Sequence, residues 1–187
     1  MQLRFHFEKS LQAAGVLLRL EDERMASTRL LKLLYIADRE MLAESAASIT
    51  NDRANAMKHG PVLGRVYDLI RGSGPKFAEW SRHIETQGYA VKMVNDPGRG
   101  HLSRGEIEKL TEISERYRTK DHWELSDLTH DFPEWKKHWP DNASNGSYPI
   151  PWEDVLLAQG QGAETIKLVE QEERIRNELD NLFGATR

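Results

Sequence analysis

The sequence predicts a mainly α-helical fold: a compact multi-helix single domain with a small β-hairpin and a C-terminal helical arm. Three observations carry this. Apolar residues recur every three or four positions in most ordered stretches. Ser103, Asp121 and Asp131 each stand three residues before a glutamate, the spacing of helix capping boxes. Only Tyr89–Val94 alternates its larger apolar residues over a strand's length.

Phe7, Leu11, Ala14 and Leu18 define a first amphipathic helix that ends at the charged cluster Glu21–Arg24. Ser27 or Thr28 is placed to cap a second helix. Its Leu30, Leu33, Leu34, Ala37 and Met41 form one face, widened by Leu31, Tyr35 and Leu42, so this helix should be central and mostly buried. Lys32, Asp38, Arg39 and Glu40 interrupt the apolar arc and must reach solvent or partners. The segment Ile49–Met57 has little helical period, and His59-Gly60-Pro61 is a strong break. A third helix is expected to begin near Pro61, with Val62, Val66, Leu69 and Ile70 inward, and to end at Gly72–Pro75. Tyr89–Val94, followed by the turn Asn95–Gly98, reads as one strand of the hairpin, with its partner expected within Ile49–Met57.

Ser103 with Glu106 opens a helix through Ile107, Leu110, Ile113 and Tyr117. Asp121 with Glu124, then Asp131 with Glu134 around Pro133, predict two short helices that turn sharply on one another. Pro140–Pro151 is rich in Asn, Ser, Gly and Pro and reads as a loop, which accounts for the glycosylation-like Asn142 and Asn145. Pro151 opens a short helix through Leu157. After Gly160-Gln161-Gly162 a last helix runs from Ala163 to Phe183, with Leu168, Ile175, Leu179 and Leu182 as a narrow stripe among acidic residues. Residues 1–160 are thus expected to form the domain and 161–187 an acidic arm.

Composition excludes several chemistries. With no cysteine among 187 residues, thiolate metal sites, disulfide scaffolds and cysteine nucleophiles are ruled out. A formal charge of −4 gives no global attraction to nucleic acid or to an anionic membrane. The N-terminus carries no basic start followed by an apolar core, so the chain is expected to start near Met1 and to stay in the cytoplasm. The longest uncharged stretches reach about half of the roughly 20 residues that cross a bilayer.

No two of the seven histidines stand four residues apart, and no HExxH occurs, so no metal or other cofactor is predicted. Thr129-His130-Asp131 reads as helix-junction chemistry: the first two satisfy backbone groups and Asp131 caps the next helix. The Gly-x-Gly triplets at Gly72, Gly98 and Gly160 lack a phosphate-binding continuation and read as turns. Trp123, Trp135, Trp139 and Trp152 are expected to close a small core. Arg29, Lys32 and Arg39 form only a sparse basic face, which does not predict nucleic-acid binding. The residues alone therefore point to a non-enzymatic interaction domain.

Three segments, in order, carry a resemblance. Leu30-Leu31-Lys32-Leu33-Leu34-Tyr35-Ile36-Ala37 resembles the K-L-x-Y-x-A helix of the Panacea domain, the SocA-like antitoxin domain. Ala56-Met57-Lys58-His59-Gly60-Pro61-Val62, continuing to Val66-Tyr67, is similar to that family's aromatic-basic-aromatic-Gly-Pro-Val entry into a helix, with Met57 where an aromatic is common. Leu125-Ser126-Asp127-Leu128-Thr129-His130, followed by Trp135-Lys136-Lys137, is similar to its L-S-x-L-T-H segment. The resemblance spans roughly Leu11 to Leu157 and leaves the last helix outside.

The resemblance implies an antitoxin of a bacterial or phage toxin–antitoxin pair that neutralises a cognate toxin protein by direct binding. The alternative is a proteolytic adaptor, with a protease as second partner, or a general interaction module. Neither reading calls for a membrane, and the sequence assigns no oligomeric state. The resemblance singles out Lys32, Tyr35, Asp38, His59, Gly60, Pro61, Thr129, His130 and Trp135 as the family-defining surface or its support.

Overall fold

The computed structural model describes residues 3–184, with side chains at all but 176–177 and 180–184 of these. Its axis is the second helix. Every residue from Arg29 to Asp38 is buried, charged ones included, because neighbouring elements surround this helix on all sides. Helix α1 (Phe7–Arg19) leads through strand β1 (Arg24–Ala26) directly into α2 (Ser27–Ser45). After α2 the chain forms β2 (Ala54–Met57), β3 (Gly60–Leu63), α3 (Gly64–Ile70), α4 (Phe77–Trp80), β4 (Ile84–Gln87) and β5 (Ala90–Met93). The second half supplies α5 (Arg104–Arg116), α6 (His122–His130), α7 (Pro133–His138), β6 (Ser147–Ile150), α8 (Trp152–Ala158) and α9 (Ala163–Gly184).

The strands correct the expected fold class. A mainly α domain with one small hairpin is overturned by two three-stranded antiparallel sheets, ordered β1-β5-β4 and β3-β2-β6. Helix accounts for 53 % of the residues and strand for 13 %. Each strand has only three or four residues, too few to show a period of two, and β1 and β6 join their sheets from remote parts of the chain.

The hairpin partner is corrected as well. Ala90–Met93 pairs with Ile84–Gln87 and Arg24–Ala26, whereas Ala54–Met57 pairs with Gly60–Leu63 and Ser147–Ile150. The helix expected from Pro61 begins instead at Gly64, and Pro61 lies in β3 at the edge of its sheet, where a missing N–H costs no ladder bond. What starts α3 is a distant carboxylate: Asp52 accepts from the backbone N–H groups of Arg65 (2.8 Å) and Val66 (2.9 Å). The predicted loop Pro140–Pro151 contains β6.

Two of the three capping boxes form, at Ser103–Glu106 and Asp121–Glu124. The third does not: Phe132 occupies the N-cap of α7, and Glu134 turns into the core. Helix α2 begins at Ser27 with Ala26 at its N-cap and no side-chain cap. Trp152 is buried, Trp135 and Trp139 are partly buried, and Trp123 stays 56 % exposed. In α9, Val169 is buried and Glu173 accepts a bond from the Asn51 amide at 3.0 Å, while Leu168, Ile175 and Leu179 face solvent. Leu182, expected in the same stripe, lies outside the described side chains. No described helix is long and apolar enough to cross a membrane.

Candidate functional site

The turn between β2 and β3 is where the singled-out residues converge. Met57 pairs with Gly60, so Lys58 and His59 form a two-residue loop, and Gly60 closes it with φ +91°. That conformation disfavours any residue with a Cβ. Space forbids one too, since a Cβ at Gly60 would overlap the Thr129 hydroxyl and lie 3.0 Å from Lys32 Nζ.

The carbonyls of Met57, Lys58, His59 and Pro61 each meet a side-chain donor. Four side chains from three helices supply these donors. Trp135 Nε1 of α7 donates to Met57 O at 2.9 Å. His130 Nε2 of α6 lies 3.1 Å from Lys58 O, Ser126 Oγ of α6 donates to His59 O at 2.9 Å, and Lys32 Nζ of α2 donates to Pro61 O at 2.8 Å. Thr129 directs its hydroxyl back to Ser126 O at 2.9 Å. The His130 and Trp135 rings pack 4.3 Å apart, so the two donors brace one another.

Burial leaves Lys32 1 % exposed and lowers its pKa to about 7. His59 and His130 are also held below the ordinary imidazole value; desolvation is the main cause, and both feel the positive charge of Lys32.

Tyr35 sits one turn along α2, its ring between Phe132 and Trp152, and donates its hydroxyl to Glu134 at 3.1 Å. Burial, followed by the charge of Glu134, holds that hydroxyl well above its ordinary pKa. Glu134 also accepts from Arg39 Nε at 2.6 Å, and the Arg39 guanidinium lies 4.3 Å from the Phe132 ring centre. This buried triad seats α7 on α2. Asp38, a further turn along, takes no part in the hairpin. Its carboxylate accepts from the backbone N–H groups of Ile49 (2.8 Å) and Thr50 (3.1 Å) and from the Thr50 hydroxyl, fixing the loop after α2. Burial raises its pKa to about 6 against those hydrogen bonds.

The structure thus brings Lys32, Gly60, Pro61, Thr129, His130 and Trp135 to one turn, places Tyr35 beside the Glu134 triad, and sends Asp38 elsewhere. His59 alone presents an exposed side chain, edge-on to Trp123 with ring centres 5.6 Å apart. Sequence reasoning did not mark Ser126, Glu134 or Asp52 as site residues, and it read Arg39 only as a charge in search of a partner and Trp152 only as a core ring; the Trp152 indole N–H donates to Asp52 O at 2.8 Å. Ser126 lies inside the L-S-x-L-T-H segment, the spacing of Glu134 from Asp131 imitates a capping box, and Asp52 carries no local signal. Thr129 and His130 do meet backbone carbonyls, but His130 meets one in the turn and not at the helix junction; Asp131 does not cap α7, standing instead at the C-terminal end of α6 with its side chain 2.9 Å from Lys136.

The family model for antitoxin SocA-like, Panacea domain, matches residues 30–136, more than half of the 187, and the chain belongs to that family. The matched span begins on α2 and ends on α7, taking in each residue of the buttress. No curated protein and no solved structure matches the chain.

Proposed function

We propose that this chain is an antitoxin that neutralises a cognate toxin protein by direct binding in the cytoplasm, without catalysis. The family match over the hairpin and its buttress carries the reading. In this reading residues 1–160 are the neutralising domain and 161–187 its arm. Lys32, Tyr35, Asp38, Gly60, Pro61, Thr129, His130 and Trp135 act as the support, and His59 belongs to the surface that meets the toxin. The burial or partial burial of the first group and its bonds inside the domain favour this division, although Lys32, with one donor of three in use, keeps bonding capacity for a partner. A stable complex needs about 800 Å² per partner with a few aromatic or arginine anchors, and Trp123 beside His59 is such an anchor.

Co-expression with the product of the neighbouring open reading frame tests this. That product should arrest growth alone, lose toxicity with this chain, and co-purify with it; a harmless product, or no complex, defeats the reading.

A second reading, an adaptor that hands a bound partner to a protease, draws on the exposed Leu168, Ile175 and Leu179 of α9. Replacing the three with glutamine spares the packed face that holds Val169 and Glu173. Unchanged turnover of the bound partner in that variant would remove the adaptor role.

A further inference from the structure

Beside the buttressed turn lies a cleft of about 490 Å³. Lys32 reaches it from α2, Lys58 and His59 from the turn, Tyr67 from α3, Asn145 from the approach to β6 and Ser147 from the first position of that strand. Among the described residues no aspartate or glutamate lines it, although the chain carries 30 acidic residues against 26 basic ones.

An ammonium has three donors, and among the described residues Lys32 uses one, toward Pro61 O. No carboxylate among the described residues forms an ion pair with it. In its protonated form Lys32 is a buried cation without a counter-ion among the described residues, a costly state that an arriving anion relieves. The remaining lining is largely apolar, with Leu31, Met57 and Val62. A volume in the range of small-ligand pockets is far larger than an inorganic anion needs, and accommodates a carboxylate with its flanking side chains.

We infer that this cleft is a carboxylate-binding site, and that its occupant is an aspartate or glutamate side chain flanked by apolar residues on an exposed segment of the partner protein. Lys32 at the floor meets the carboxylate, Lys58 and His59 at the rim supply positive potential, and Trp123 next to His59 extends the contact. The identity of the partner rests on the antitoxin reading above; the ligand chemistry does not.

The probes are acetyl-Leu-Asp-Leu-amide, acetyl-Leu-Asn-Leu-amide and inorganic phosphate, titrated into the full ¹⁵N-labelled chain while the backbone amides of Lys58, His59 and Gly60 are followed. The Asp peptide should bind at least tenfold tighter than the Asn peptide, and this preference should shrink to within twofold in Lys32→Met. The exposed variants Lys58→Gln and His59→Gln, which leave the buttress intact, should each weaken the Asp peptide at least threefold and keep the test valid if Lys32→Met fails to fold. Equal binding of the two peptides, an Asp preference that survives both Lys32→Met and the rim variants, or phosphate binding tighter than the Asp peptide overturns the inference. Neutralisation of toxicity without peptide discrimination defeats the cleft and leaves the antitoxin reading standing; discrimination without neutralisation does the reverse.

Discussion

The indole of Trp135 donates to the carbonyl of Met57 across 2.9 Å and 78 positions of sequence, tying α7 to the tip of a hairpin that α7 does not otherwise adjoin in the chain. Trp135→Phe keeps an aromatic ring beside His130 and Trp139 but removes the donor. The expected cost is about 1–2 kcal/mol, or a Tm roughly 2–8 °C lower for a chain of this size. An unchanged melting curve would show that the turn does not depend on this bond.

Gly60 faces both a conformational and a steric requirement. Gly60→Ala must adopt φ +91° and displace the Thr129 hydroxyl, so a loss above about 2 kcal/mol is expected. Thr129→Ala in the same chain should recover only the steric part. Strict additivity of the two changes in a denaturant-unfolding cycle would contradict their contact.

The Arg39–Glu134 pair is buried on the carboxylate side, with the Glu134 side chain 0 % exposed. Glu134→Leu alone strands the guanidinium and leaves the Tyr35 hydroxyl without its acceptor, at a cost of about 3–5 kcal/mol. Adding Arg39→Met should restore much of the stability, because the pair's Coulomb energy largely offsets its own desolvation. A double variant as unstable as the single one would assign the role to the Tyr35 bond instead.

Lys32 and Asp38 give the stability a pH dependence of predictable sign. Lys32 has a lowered folded pKa of about 7 against an ordinary 10.5, so across that window the unfolded chain binds more protons and stability rises with pH. Asp38 is raised to about 6 from 3.8, so the native state binds more protons there and its contribution falls as pH climbs through that window. The Tm of the wild type should therefore gain on that of Lys32→Met between pH 7 and pH 9. A constant difference would place the Lys32 amine in a better-solvated state than its burial indicates.

The caps offer a contrast. Asp121 accepts from the backbone of Trp123 and Glu124, both at 2.8 Å, so Asp121→Ala should cost about 1 kcal/mol. Asp131 has the same sequence pattern but only the exposed pair with Lys136. Asp131→Ala should change stability by less than about 0.5 kcal/mol. Equal losses in the two variants would mean that both residues cap helices in solution.

The helical framework was legible wherever the deciding interactions were local. Leu30 through Leu42 announced a surrounded helix through apolar spacing, and Ser103–Glu106 announced a start through a box closed within four residues. The same local pattern failed at Asp131–Glu134, because Tyr35 and Arg39, 99 and 95 positions away from Glu134, compete for its carboxylate and win it. Pro61 misled for a similar reason: its fixed φ suits a first helical turn, but Ala56 opposite it and the acceptor need of Lys32 place it in a strand.

By itself the sequence determined the helices, the breaks, the absence of thiol chemistry and, through three spaced motifs, the family. Which residues serve as donors to the Met57–Pro61 turn, which carboxylate enters the core, and which surface stays free of acid were decided by the tertiary structure alone. The physical reason is range. Helical period and capping act within about four residues, whereas an unpaired carbonyl or a buried charge takes its partner from whatever element the packing brings near.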